Sequence, residues 1–312
     1  MNRPLSSEFE IRVPGSIANL GPGFDTLAVA IQLYLRLSVK IAPGENELKF
    51  RFINCKLDGE NYIERAFHFL AAQRGRSFPS LDIEVESAIP TSSGLGSSAA
   101  ATVAGLRLYE AIAGPLPAQG LLNAACALEH HPDNVAAALL GDLTISCQLP
   151  DRSVVAVRLP WPESLKFVVL TPELALSTSK AREVLPTTVP REDAVFNLQR
   201  VALLLQALES GDFSLLREAL QDRLHQPFRH KLVPGLERTL ALQHPDLLGV
   251  CLSGAGPSIV ALAQQNFEAV EDLLVQTFKP TGLPFRIRRL CVHRNFEASP
   301  SCLPVAELTR VP

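Results

Sequence analysis

The feature that most narrows what this chain can become is a twelve-residue string, Pro90-Thr91-Ser92-Ser93-Gly94-Leu95-Gly96-Ser97-Ser98-Ala99-Ala100-Ala101. It follows residues 81–86, where apolar and polar side chains alternate as in a strand, and it leads into 99–112, which has helical spacing and few β-branched residues. The string therefore reads as a strand-to-helix turn. Its glycines let backbone N–H groups converge with no side chain in the way, and the helix start adds unpaired donors and the positive end of its dipole. Such a turn suits a polyphosphate. It is not a Walker A loop, since no lysine follows Gly96, and the loose GxGxxG/A match of Gly94, Gly96 and Ala99 lacks an acidic residue ending a second strand. The plain alternative is a serine-capped helix after a flexible turn.

Around this turn the chain mixes two periodicities. Ile31, Leu33, Leu35, Leu37, Val39 and Ile41 alternate with polar residues across 27–41, as in a half-buried strand long enough to be one bent strand or two paired ones. Residues 9–13 and 143–149 also read as strands, and 61–74 as a helix headed by Asn61. Pro150, Pro160 and Pro162 stop regular pairing and place a domain seam near residue 160. Beyond it come strands at 166–171, 249–253, 258–263 and 285–292, and helices at 179–184, 192–207, 213–220 and 267–278. At 312 residues there is length for two domains, 1–160 and 161–312, α+β in class and without an internal repeat.

Composition removes several kinds of function. With 47% hydrophobic and 20% charged residues the chain can bury a large core, which excludes bulk disorder. A net charge of −3 with no block of five like charges carries no footprint for nucleic acid or anionic lipid. The sequence contains no run of eighteen apolar residues, so no membrane-spanning helix is expected. Cys55, Cys126, Cys147, Cys251, Cys291 and Cys302 form no CxxC pair, and no secretory leader is expected before Met1-Asn2-Arg3-Pro4. The cysteines are expected to be small buried apolar residues in a reducing, cytoplasmic setting, and the partner to be a small molecule or another protein.

Five further segments carry candidate chemistry. Pro14-Gly15-Ser16-Ile17-Ala18-Asn19-Leu20-Gly21-Pro22-Gly23-Phe24-Asp25 puts Asn19 and Asp25 on an irregular loop, where they can accept from an ammonium and a hydroxyl or simply close turns. In Glu129-His130-His131-Pro132-Asp133-Asn134 the spacing and the proline fit no HExxH-like metal site. Arg182, in Leu176-Ser177-Thr178-Ser179-Lys180-Ala181-Arg182, can grip a carboxylate bidentately, and Arg229, in Asp222-Arg223-Leu224-His225-Gln226-Pro227-Phe228-Arg229, would supply a second guanidinium. For any single arginine a solvated surface position is commoner. Leu252-Ser253-Gly254-Ala255-Gly256-Pro257-Ser258 reads as a glycine turn between two strands.

Taken as an ordered set these strings resemble the GHMP kinases, ATP-dependent kinases of small molecules. Pro90, Gly94, Leu95, Gly96, Ser97, Ser98, Ala99 and Ala100 match the family's second motif, PxxxGLGSSAA, and 252–258 matches its glycine-rich third motif. Within the family the first string is similar to the SANLGPGFD signature of the homoserine kinases, 129–141 to their EGHPDNVAPALLGG segment, 176–186 to STxxAR..LP, and 222–229 to DxLHQPYR. The resemblance spans about residues 10–260. Gly15 and Ile17 depart from small or hydroxyl residues, and His130 and Asp142 each stand where a glycine is usual. If the first of those glycines needs a positive φ, His130 is strained or its loop differs, with consequences for Glu129.

The resemblance implies an N-terminal domain like domain 2 of ribosomal protein S5, a ferredoxin-like C-terminal domain, and a site in the cleft between them. It implies transfer of the γ-phosphoryl group of ATP to L-homoserine, giving O-phospho-L-homoserine for threonine synthesis. The ATP side would comprise Asn61, Pro90, Thr91, Ser92, Ser93, Gly94, Leu95, Gly96, Ser97, Ser98, Ala99 and Ala100, with Asn61 either touching the base or capping its helix. Ser98 and Glu129 would hold Mg²⁺, and with Asn134 they form the catalytic group. Asn19, Asp25, Asp133 and Asn134 would orient the amino and hydroxyl groups, Arg182 and Arg229 would clamp the carboxylate, and His131 would position the substrate more than act as base. A kinase for another small alcohol, or a non-catalytic nucleotide- or amino-acid-binding regulator, is the alternative. A homodimer is the expected assembly.

Overall fold

The computed structural model describes residues 7–55, 59–75 and 77–295. The first half contains β1 (Glu8–Ala18), β2 (Leu27–Glu45), β3 (Leu48–Phe52), α1 (Tyr62–Arg74), β4 (Pro79–Ser87), α2 (Ser97–Ala113), α3 (Ala118–Glu129), α4 (Pro132–Leu140), β5 (Leu143–Gln148) and β6 (Val154–Leu159). Its six-stranded sheet runs β3-β4-β2-β5-β6, with β1 also paired to β2. The second half contains β7 (Lys166–Pro172), α5 (Thr178–Glu183), α6 (Arg191–Ser210), α7 (Leu216–Ala219), α8 (Gln226–Arg229), α9 (Leu236–Leu240), β8 (Gly249–Leu252), β9 (Ile259–Ala263), α10 (Phe267–Phe278) and β10 (Phe285–Leu290). Its antiparallel sheet, β10-β7-β9-β8, follows the strand, helices, hairpin, helix, strand order of a ferredoxin-like unit. The α+β class is therefore observed in both halves.

The long alternating segment is one strand. β2 runs 19 residues and its register against β1 shifts between Pro14 and Gly15, which takes up its bend. Its C-terminal part buries alternate residues, whereas Leu27 to Ile31 are buried on both faces. Ile17, Leu20 and Leu27 are fully buried, each contributing about 2 kcal/mol of apolar burial, and so anchor the irregular loop between β1 and β2 at both ends. The apolar core is continuous across the join: Leu204, Phe213, Leu216, Val260 and Leu262 of the second half pack into the same cluster as α1, α2 and the first sheet.

Several elements differ from the sequence expectation. β6 forms where prolines pointed to broken pairing, because its paired residues Val154 to Leu159 fall between Pro150 and Pro160. Residues 213–220 split into a 3₁₀ turn, Phe213–Leu215, and the short α7. α4 leaves no helical signal in the sequence because seven of its nine residues are buried, which erases the polar stripe of an amphipathic helix. The expected strand 285–292 ends at Leu290, and the chain then crosses to the first sheet. There Val292 bridges Ile31, the Gln32 N–H donates to Cys291 O, and the His293 N–H donates to Ala30 O.

The cysteines are only partly as expected. Cys126 and Cys251 are buried, and burial pushes both thiols up to about 12. Cys55 and Cys291 are half-buried and Cys147 is exposed, so burial does not describe the set; Cys302 lies outside the described residues. Among the described residues no helix is long and apolar enough to cross a membrane.

Candidate active site

Three glycine-rich strings that are far apart in the chain meet at one place. The Ser16 N–H donates to Leu95 O, the Gly254 N–H to Ala18 O and the Ser258 N–H to Ser93 O, while Ser253 Oγ donates to Gly94 O at 2.6 Å. Gly94 is required by this closeness: at φ +78° a Cβ on it would lie 2.3 Å from Ser253 O and 2.8 Å from Gly256 O. Gly96 caps α2 in a left-handed conformation with no side-chain hydrogen bond, so the first-turn N–H groups are not taken by a capping side chain. The strings border a cleft of about 740 Å³.

At the exposed mouth of that turn, Ser98 Oγ donates to Glu129 Oε2 at 2.8 Å. Thr102, one helical turn beyond Ser98, donates to the other oxygen, Oε1, at 2.7 Å, and Arg65 Nη2 lies 3.7 Å from it. His130 does adopt a positive φ, +64°, as the left-handed cap of α3, with its N–H on Cys126 O. It carries the backbone strain that a glycine would avoid, yet Glu129 still reaches the helix mouth. One hydroxyl and one carboxylate are hard oxygen donors within reach of each other, which fits Mg²⁺ because that ion keeps much of its shell as water and phosphate oxygens. No cluster of three or more His, Cys, Asp or Glu able to hold a metal occurs among the described residues.

The other end of the cleft is built from charge. Arg182 Nη2 donates to Asp25 Oδ1 at 2.5 Å and to His131 Nδ1 at 3.2 Å. Arginine only donates, so His131 accepts through Nδ1, and burial together with the Arg182 charge lowers its pKa. Asp133 is buried; burial and the neighbouring Asp25 raise its carboxyl to about 6, although the Asn134 N–H donates to it at 2.7 Å. Asn134 Oδ1 accepts from Ser16 Oγ at 2.6 Å. Asn19 sits in the left-handed region at φ +72° and donates through Nδ2 to Gly254 O, while its Oδ1 accepts from the Asp25 N–H. Arg229 is 1% exposed, and burial lowers its guanidinium to about 10.

Of the residues expected from sequence, Asn19, Asp25, Asn61, Glu129, His131, Asp133, Asn134, Arg182 and Arg229 all line this one cleft, as do Thr91, Ser92, Ser93, Gly94, Gly96, Ser97 and Ser98. Pro90, Leu95, Ala99 and Ala100 do not border it; Leu95, Ala99 and Ala100 instead bury their side chains in the core beneath the turn. Asn61 caps α1, its Oδ1 accepting from the Ile63 and Glu64 N–H groups, and it also lies on the cleft wall. Sequence reasoning missed Ser16, Thr102, Phe24 and His225. Thr102 was detectable from its i+4 spacing to Ser98, but nothing local marks a role for the other three.

The glycine turns, the serine–glutamate pair and the zwitterion-lined end occupy the cleft of a fold with known relatives. A model of the GHMP kinase N-terminal domain matches residues 61–142, and one of the GHMP kinase C-terminal domain matches 204–277. The homoserine kinase of Solibacter usitatus is 40% identical over 281 residues, covering 89% of this chain and 92% of its own. That of Moorella thermoacetica is 40% identical, with 91% and 97% covered. The crystal structure of homoserine kinase from Cytophaga hutchinsonii superposes with a TM-score of 0.81 at 25% identity, covering 94% of this chain and 99% of that one. A relative in fold alone, the L. major mevalonate kinase in complex with R-mevalonate, has a TM-score of 0.71 at 20% identity, covering 96% and 100%. The chain belongs to the GHMP kinases and, within them, to the homoserine kinase family.

Proposed function

We propose that this protein phosphorylates L-homoserine at the expense of ATP, giving ADP and O-phospho-L-homoserine, a product committed to threonine formation. The observation that carries the reading is the charge pattern of one cleft wall: two carboxylates, Asp25 and Asp133, and two guanidiniums, Arg182 and Arg229, lining the same cleft as a glycine turn whose helix start no side chain caps. That wall matches both charges of a small amino acid, and the turn matches a triphosphate.

Phosphoryl transfer is served by charge neutralisation and in-line placement more than by covalent help. The amides from Gly94 to Ser98 hold the β- and γ-phosphates, and Thr91, Ser92 and Ser93 border them. Ser98 Oγ and Glu129 are the residues that would hold Mg²⁺, which supplies charge neutralisation on the phosphates when bound. Asp25 and Asp133 accept from the substrate ammonium, Asn19 and Asn134 orient its hydroxyl, and Arg182 and Arg229 hold its carboxylate. On binding, Arg182 exchanges part of its present pairing with Asp25 for the substrate. His131 has its Nδ1 lone pair engaged by Arg182, which suits positioning and not proton removal. A cytoplasmic homodimer is part of the same reading.

A coupled ADP-release assay across homoserine, shikimate, mevalonate and galactose tests it. Turnover well above background is expected with homoserine alone. Background turnover with homoserine beside phosphorylation of another alcohol would overturn the substrate, and no turnover with any of them would favour a binding role.

A further inference from the structure

The segment Asp222 to Arg229 contributes more than its arginine. We propose that His225 is a positioning residue: it holds the Arg229 guanidinium in the cleft through an uncharged acceptor, and so sets the preference for a substrate that bears a carboxylate. The proposal rests on the homoserine reading above and names how one wall of that site is tuned.

His225 is fully buried, with Nδ1 3.0 Å from Arg229 Nη1 and Nε2 2.7 Å from Gly21 O. A guanidinium only donates and a carbonyl only accepts, so the ring is assigned one state: Nδ1 accepts from Arg229 and Nε2–H donates to Gly21. Burial also disfavours the imidazolium, against the pull of Asp222. Asp222 fixes the backbone that carries the ring. Its Oδ2 accepts from the His225 and Gln226 N–H groups at 2.9 and 2.7 Å, and its Oδ1 accepts from the Leu224 N–H and Asn197 Nδ2. Asn197 also donates to Pro22 O, so the 222–229 segment and the Gly21–Pro22 loop are held as one piece.

The acceptors that Arg229 hydrogen-bonds are all neutral, and the Asp25, Asp222 and Asp133 carboxylates act on it only through space. Nε donates to Ala181 O at 3.1 Å, and Nη1 donates to Gly254 O at 2.9 Å and to His225 Nδ1. Those bonds use three of the five guanidinium hydrogens and leave the two on Nη2 for an anion in the cleft that Arg229 borders. Arg182 differs, because a carboxylate, Asp25, already neutralises it. A carboxylate in the place of His225 would fix Arg229 equally well but would cancel its charge and compete with the substrate's own carboxylate. Phe24 completes the arrangement. It stacks on His225 at 5.2 Å, with the Arg182 and Arg229 guanidiniums 5.3 and 5.5 Å from its ring, which stabilises two like charges near each other.

The test compares His225→Phe, His225→Asn and His225→Gln in the full chain, measuring KM and kcat for L-homoserine, KM for ATP, and the inhibition constant of 3-aminopropan-1-ol, which is homoserine without its carboxylate. Phe keeps the stack and removes both hydrogen bonds. Its KM for homoserine should rise about tenfold or more, the worth of one charge-assisted hydrogen bond, with kcat, KM for ATP and the amino-alcohol constant nearly unchanged. Asn places an amide oxygen where Nδ1 stood and should restore the homoserine KM; Gln reaches toward Gly21 instead and should not. Equal losses for homoserine and 3-aminopropan-1-ol, or rescue by Gln as complete as by Asn, would overturn the proposal. If the Phe variant does not fold, the Asn–Gln contrast decides. Failure of the underlying reading looks different: the unsubstituted protein itself would not turn over homoserine.

Discussion

At the mouth of α2 the cleft wall is backbone, and at its charged end, which adjoins that turn through Gly254, it is side chain. The turn from Ser92 to Ser98 offers amides, left-handed glycines and serines; its Gly94 faces the main-chain atoms Ser253 O and Gly256 O, and its Gly96 faces the Ser16 hydroxyl. The end around Asp25, His131, Asp133, Arg182 and Arg229 offers charged side chains, each fixed by its own partners: Arg182 by Asp25 and His131, Asp133 by Asn134, and Arg229 by His225 and two carbonyls. The difference teaches where each end is vulnerable. A backbone site fails when a Cβ is added, whereas a side-chain site fails when one member of a charge network is removed and leaves its partner uncompensated.

The largest effect should come from the charged end. Arg182→Ala leaves Asp25 and His131 without their donor, and kcat/KM for homoserine should fall by the equivalent of about 2–5 kcal/mol with KM for ATP little changed, as measured by steady-state kinetics. An unchanged value would remove Arg182 from the site. The turn should respond next: Gly94→Ala forces a Cβ against two carbonyls at positive φ, costing about 3 kcal/mol in chemical denaturation and raising KM for ATP. A variant as stable as the parent would show that the two glycine turns can separate.

The comparison also predicts a pH dependence confined to the charged end. Asp133 holds its proton up to about pH 6, so the carboxylate that meets the ammonium is lost below that value. The kcat/KM for homoserine, which reports the free enzyme, should fall about tenfold per pH unit below about pH 6, and Asp133→Asn should give a lower, flat profile. Stability moves the other way. The native state binds this proton more tightly than the unfolded chain, so Asp133 lowers stability as pH rises from 3.8 to about 6. The smallest effect is at His130, where His130→Gly should stabilise the fold by about 1 kcal/mol by removing a side chain from the left-handed cap of α3. A loss of stability there would mean that His130 contributes a contact greater than its strain.

Much of this site is legible in the sequence. Gly94, Gly96 and the alanines after them identify a turn into a helix by composition alone, and the alternation in 27–41 identifies β2, because both signals act within a few residues. β3 and α4 are not legible: the first is a short edge strand, and the second is buried on nearly every side and shows no periodic contrast. His225 lies inside a segment that the sequence singles out, yet its role is invisible there, since one ring nitrogen meets Gly21, 204 positions away.

The sequence by itself determined which residues could bind phosphate, which could bind a carboxylate and where regular structure would form, because residue chemistry and local periodicity act over a turn or two of chain. The tertiary structure alone decided which charges oppose which. Arg182 meets Asp25 across 157 positions and Asn19 meets Gly254 across 235, and no local pattern encodes contacts that exist only once two sheets and a continuous core have brought those strings together.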